Sequence, residues 1–415
     1  MSTTALVARR TMSMTRSRGM GITFLVLAAI IAYVFGIGTD SGADSSFVLD
    51  DFTVTLPARS VALMLAAVCA FLGGIQLARG FGSRTYLILG IVVTCFVIAF
   101  LLWAAAGDSL NLLGMLRTTI LSAVPITLGA LSGVLCERSG VINIAIEGMM
   151  LTAAFTGALV GSASTSLIVG ALAGVASGAL LGAALAVLAI RYRTDQIIAG
   201  TVLNIFALGI TSYLTALILG DPEYRHLNNP GTFSTIDIPL LSDIPILGPL
   251  LFSHNIFVYL MFALVLLIHF GLFRTKWGLR VRAVGEHPKA ADTVGINVLR
   301  IRYWNVIMGG MVAGLAGAYF TVGSVGNFNE GMTGGRGFIA LAAMIFGRWN
   351  PIGALGAALV FGFADSLQNK LSILGVPVPS EFLLMAPYLV TILVVAGLVG
   401  RARPPAADGQ PYVKE

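Results

Sequence analysis

Side chains able to make or break covalent bonds are few in this sequence, and they are scattered. The four histidines, His226, His254, His269 and His287, form no cluster. Cys69, Cys95 and Cys136 stand far apart, in or at the end of apolar runs. No disulfide or metal-ligand spacing results, so packing is the reading for the cysteines and no metal is expected. No nucleophile is paired with a base. None of the four lysines (Lys276, Lys289, Lys370, Lys414) follows a glycine as a phosphate-binding loop requires. Hydrolysis of a nucleotide by this chain is thereby excluded, and an intramembrane enzyme has no constellation to support it. What remains are polar side chains inside apolar runs: Asn143, Glu147 and Asn204, with Asp365 and Gln368 at the outer end of a late run. An ionisable group at membrane depth is costly and marks a functional candidate by default. Asn143 and Glu147 are four apart, which puts them on one face of a helix. They serve there either as a hydrogen-bond clamp on neighbouring backbone or as the lining of a gate. Asn204 either faces a path or bonds to an adjacent helix.

The elements that must position these groups are membrane helices. Of the residues, 57% are hydrophobic and 11% charged, with a mean hydropathy of +0.91, against about 25% charged in soluble domains. Apolar runs lie near 22–37, 61–77, 87–106, 116–135, 141–160, 167–190, 197–219, 256–273, 303–325, 352–367 and 383–399. A further run, 339–346, is far shorter than the ~20 residues a span needs. Counting it, an all-α polytopic protein of about twelve crossings is expected. Basic residues fall in alternate loops, starting with Arg9, Arg10, Arg16 and Arg18 and ending with Arg401 and Arg403. Both termini are then cytoplasmic, and the net charge of +6 sets orientation and is no nucleic-acid signal. Gly170, Gly174, Gly178 and Gly182 make a stripe along one helix face, suited to close helix packing. The short run follows Gly326–Gly337, which reads GNFNEGMTGGRG. A glycine-interrupted short segment is the pattern of a broken helix at a transport path, and it makes Asn327, Phe328 and Phe338 path candidates beside a plain packing role. The regions around 140–161 and 335–356 are possible partners in an inverted repeat. The domains read as a three-helix N-terminal extension (1–110), a transport domain (111–403) and a polar, disordered tail (404–415).

The longest hydrophilic stretch with helical character is 274–302. It carries Arg274, Lys276, Arg280, Arg282, Lys289, Arg300 and Arg302 against Glu286 and Asp292, so it belongs inside the cell. Pro288 suits the first turn of a short helix over 288–294, and Gly295 its stop. The stretch is either a solvated loop that fixes topology or a surface made for a partner. Its segment GLRVRAVGEHPKAA (278–291) resembles the coupling loop of the ABC-importer permease family that handles branched-chain amino acids, simple sugars and nucleosides. SGVINIAIEGMM (139–150) resembles that family's other signature, and the likeness spans roughly 117–401, most closely to the nucleoside branch across 119–152. The resemblance implies a multi-pass subunit of a bacterial plasma membrane that binds no cofactor. ATP and magnesium would sit on a separate cytosolic ABC ATPase, contacted by Gly285, Glu286, His287, Pro288, Lys289, Ala290, Ala291, Asp292 and Gly295. It further implies a second, different permease chain and an extracellular substrate-binding lipoprotein. Nucleoside import is the expected function, with ribose or another simple sugar as runner-up. A secondary transporter is the alternative of another class, and the lack of a mid-span ionisable residue weighs against it.

Overall fold

The protein is seen here as a computed structural model that describes residues 3–50, 52–374, 385 and 403–414, with side chains from residue 17 on, Leu374 excepted. It divides into two compact units. The first runs to Gly114, with a short stretch from Asn369; the second holds Met115–Gln368 and the C-terminal residues.

In the first unit, α1 (Thr3–Ile30) continues through a π-helical turn to Ile37, followed by α2 (Ala58–Ala78) and α3 (Thr85–Ala104). Small residues let these helices meet: Ala28, Ala62, Ala66, Cys69, Cys95 and Ala99 are buried with Phe24 and Phe35. Between α1 and α2 the chain forms a hairpin of β1 (Asp44–Leu49) and β2 (Phe52–Pro57), and β3 (Ser109–Asn111) joins β1 in parallel. Asp50 takes φ 58° in the turn, a conformation that Asp tolerates better than most residues.

The second unit begins within α4 (Leu112–Glu137) and continues with α5 (Ile146–Ser164), α6 (Leu167–Ala186) and α7 (Gln196–Leu214). After the short pair β4 (Ile236–Asp237) and β5 (Ser253–His254) come α8 (Ile256–Arg274), α9 (Lys276–Glu286), α10 (Pro288–Thr293), α11 (Val298–Ala318), α12 (Arg336–Phe346) and α13 (Pro351–Leu374). Among the described residues, ten helices are long and apolar enough to cross a membrane, and α12 is the short apolar one. The protein is an all-α polytopic membrane protein. The last run expected from sequence, 383–399, lies outside the described residues apart from Met385.

Helices α4, α5 and α11 are the most deeply buried of the long helices in this unit. Helix α7 is the most exposed and shows Ile198, Val202, Ile205 and Phe206 outward, a surface suited to lipid. The glycine stripe does what its spacing implies. A Cβ on Gly178 would lie 2.6 Å from the Gly314 Cα, and one on Gly182 would lie 3.1 Å from the Gly310 Cα. Helices α6 and α11 therefore approach backbone to backbone.

One local expectation fails. Residues 141–144 are not helical, and α5 starts only at Ile146. Gly140 at φ 86° breaks the chain direction. Two side chains of α7 then hold this non-helical backbone: Gln196 Oε1 accepts from the Ile142 N–H at 2.7 Å, and Asn204 Nδ2 donates to the Ile144 carbonyl at 2.9 Å. Asn143 and Glu147 consequently do not share a helix face.

Candidate functional site

The basic stretch folds into a helical corner. Thr275 caps α9, its hydroxyl accepting from the Gly278 N–H at 3.2 Å. The chain turns at His287, whose ring accepts from the Ala290 N–H at 3.4 Å, and Pro288 opens α10. At the other end Gly295 has φ 82°, its N–H bonds to the Asp292 carbonyl, and the Ile296 N–H bonds to that of Ala291. This is the left-handed glycine stop that the sequence pattern announces. Glu286, His287, Lys289, Ala290, Thr293 and Val294 are exposed, whereas Val284, Gly285 and Ala291 are buried. Val294 is 74% exposed.

The inner side of the corner rests on the turn after α4. A Cβ on Gly285 would collide with the Arg138 carbonyl group, whose carbon would lie 2.9 Å away. Arg138 in turn donates from Nε to the Trp349 carbonyl at 2.9 Å and from Nη2 to the Arg348 carbonyl at 3.2 Å. Its guanidinium and that of Arg282 both lie over the Phe273 ring, 5.6 and 5.2 Å from the centroid. Trp349 Nε1 donates to Glu137 Oε2 at 2.6 Å. The corner, the end of α4 and the turn after α12 thus share one set of contacts.

The opposite end of α12 is held by Glu147. Its carboxylate accepts from the Thr333 hydroxyl (2.6 Å), the Gly335 N–H (2.9 Å) and the Gly337 N–H (2.6 Å). An anion at the first turn of α12 also satisfies the helix dipole. Arg336 reaches Asp365 on α13 at 3.5 Å and lies over the Phe320 ring. Asn143 is fully buried and donates to Ser132 Oγ at 3.2 Å. Asn204 also accepts from the Gly148 N–H at 2.8 Å. Phe328 packs edge-on against Phe155, and its backbone pairs with the side chain of Asn228. Asn327 accepts from Asn329 and is partly exposed, and Phe338 is 49% exposed on α12. The structure brings Glu147 together with the glycine-rich segment before α12, and Asn143 with the end of α4. It does not gather the six path candidates around one cavity that the described residues show.

Reasoning from sequence missed several residues at the corner. Arg302 reads as one more loop cation, yet it is 1% exposed, and its Nη1 donates to the Gln410 carbonyl at 2.8 Å. The signal was its place directly before the apolar run 303–325. The tail, polar in composition and expected to be disordered, has a turn at 406–409 and lies on the corner. Asp408 lies beside the side chain of Glu137, and burial pushes its carboxyl up to about 7, against the pull of Glu137, the Gly409 N–H and Arg302.

No solved structure matches this chain. Among curated proteins it is 44% identical over 307 residues to the guanosine ABC transporter permease protein NupQ of Bacillus subtilis, covering 71% of this chain and 95% of that one. It is 37% identical over 310 residues to the nucleoside ABC transporter permease protein NupC of Lactococcus lactis, with the same two coverages. It is 33% identical over 262 residues to a putative glucose ABC transporter permease protein, TsgC13, of Haloferax volcanii, covering 62% of this chain and 77% of that one. The family described as the permease component of the branched-chain amino acid transport system matches residues 115–396, which is more than half of the chain, and the protein belongs to that family of membrane transport subunits.

Proposed function

We propose that this chain is a transmembrane subunit of an ATP-driven importer of nucleosides, and that the α9–α10 corner receives the motion of a separate cytosolic ATPase. The observation that carries this reading is the corner's two-sidedness. Its outer face is exposed and includes Val294, while its inner face is seated so closely that Gly285 has no room for a side chain. A push on α10 is passed through Gly285 to the Arg138 turn, and from Arg138 to the backbone after α12. Helix α12 is a short segment held at its other end by Glu147 of α5. Rigid contacts between elements are the physical means by which a distant site is moved. Asn327, Phe328 and Phe338, near the start of α12, and Asn143, Glu147 and Asn204 are the residues assigned to the moving parts or lining of the path. A second permease chain of different sequence and an external binding lipoprotein complete the transporter in this reading.

A neutral solute fits the charge distribution. The Glu147 carboxylate is held by three hydrogen-bond donors, and Asp365 is paired with Arg336. Neither is left as the open mid-span charge that ion coupling uses. The names of two relatives favour a nucleoside, and the third favours a sugar, which is the second reading. Uptake of labelled adenosine, guanosine and uridine into cells with and without this chain separates the two. Nucleoside uptake that is lost on deletion and indifferent to excess ribose or glucose is the expected result. Loss of sugar uptake with nucleoside uptake intact would favour the second reading.

A further inference from the structure

The C-terminal segment, 403–414, meets the corner at four points. The Ala407 N–H donates to the Gly285 carbonyl at 2.9 Å, and the Ala406 N–H to Glu286 Oε2 at 3.2 Å. The Gln410 carbonyl accepts from Arg302 Nη1 at 2.8 Å. Tyr412 is 7% exposed and buried in one small cluster with Val284, Ala291 and Val298, one residue from each of α9, α10 and α11. Asp408, in the same segment, lies beside Glu137 at the end of α4.

These contacts fall on one side of the corner. The residues they cover, Gly285, Val284 and Ala291, are the buried ones, and Lys289, Ala290, Thr293 and Val294 stay exposed on the other. A helix of six residues such as α10 has no stability of its own in water, so its orientation must come from what it packs against. The main apolar partner of Ala291 and Val284 in their cluster from outside α9–α11 is Tyr412.

We infer that the C-terminal segment is a buttress that holds α9 and α10 at the angle the ATPase meets, making Tyr412 and the Ala407 N–H positioning elements of energy coupling. This inference rests on the function proposed above. The segment leaves the outer face of α10 open, so it supports docking and does not compete with it.

Two variants test it in the full chain: Tyr412→Ala removes the apolar contact, and Ala407→Pro removes the N–H that bonds to Gly285. Tyr412→Phe, which keeps the ring in the cluster, serves as the conservative comparison. The first readout is amide hydrogen exchange over residues 283–295 of the detergent-solubilised chain. Exchange is expected to rise by roughly tenfold or more in Tyr412→Ala and Ala407→Pro, as local opening becomes easier, and to rise less in Tyr412→Phe than in Tyr412→Ala, because the ring stays in the cluster. The second readout is nucleoside accumulated per ATP hydrolysed by the assembled transporter in proteoliposomes, with the amount of bound ATPase measured alongside. The ratio is expected to fall by about tenfold at unchanged ATPase content, whereas a merely structural defect would lower the content and leave the ratio alone. Exchange that is unchanged in both disruptive variants would overturn the buttress. The exchange measurement needs no substrate, so a parent transporter that carries no nucleoside would count against the proposed function and not against the buttress.

Discussion

Glu147 shows how a single charge at membrane depth is made tolerable. Three donors converge on its carboxylate, two of them backbone N–H groups at the start of α12. Glu147→Gln replaces one acceptor oxygen with a donor that faces N–H groups. The expected cost is about 1.5–3 kcal/mol, the range for hydrogen bonds to a charged group, and it should appear as a lower thermal midpoint of the solubilised protein; an unchanged midpoint would mean the clamp carries no weight. Asp408 makes a second prediction at this scale. Burial pushes its carboxyl up to about 7, above the unfolded value of about 3.9. The folded state therefore binds the extra proton, and attachment of the tail weakens as pH rises from about 4 through 7. The groups facing Asp408 are Glu137 from α4 and Arg302 from α11. Proteolytic release of the tail should be slower at pH 5 than at pH 8, and Asp408→Asn should flatten that dependence. Faster release at pH 5 would reverse the sign and refute the assignment. Neither the Glu147 donors nor the Glu137 and Arg302 side chains beside Asp408 could be read from sequence, because they come from segments more than a hundred residues away.

Among the elements, those determined by nearby residues were legible and those determined by distant ones were not. The α10 helix announced both ends, with Pro288 at its start and Gly295 at its stop. The glycine stripe announced the α6–α11 contact. Gly178→Ala should destabilise by about 1–3 kcal/mol, since its Cβ would meet the backbone of Gly314 and overpacking costs that much. Gly209→Ala in α7, where nothing lies within 4 Å, should be neutral or slightly stabilising. Equal thermal midpoints for the two variants would remove the close-packing argument. The non-helical stretch at 141–144 was hidden because Gln196 and Asn204, more than fifty residues on, impose it. The β1–β2 hairpin was readable and was missed: Val54 and Leu56 alternate with Thr53 and Thr55 shortly after an Asp-Asp pair in the sequence, the local pattern of a hairpin. At the corner, Gly285→Leu should abolish uptake while the chain still inserts and reaches the membrane in normal amount, and Glu286→Lys should do the same. Normal uptake by both would sink the coupling assignment.

Across the whole molecule, composition alone settled the class: so apolar a chain, with so few charges, is a membrane protein, and its hydropathy runs located the long helices to within a few residues at most ends. What composition could not supply is the direction and energy source of transport, since those depend on partners. On the proposed function, both enter through the α9–α10 corner, and no ion gradient takes part. The most direct measurement is accumulation of labelled guanosine by proteoliposomes holding the assembled transporter, with ATP supplied or withheld on the ATPase side and with proton and sodium gradients imposed or collapsed. Accumulation is expected to require ATP and its hydrolysis, to survive collapse of both gradients and to persist in excess ribose. Accumulation without ATP, driven by either gradient, would overturn the proposed function.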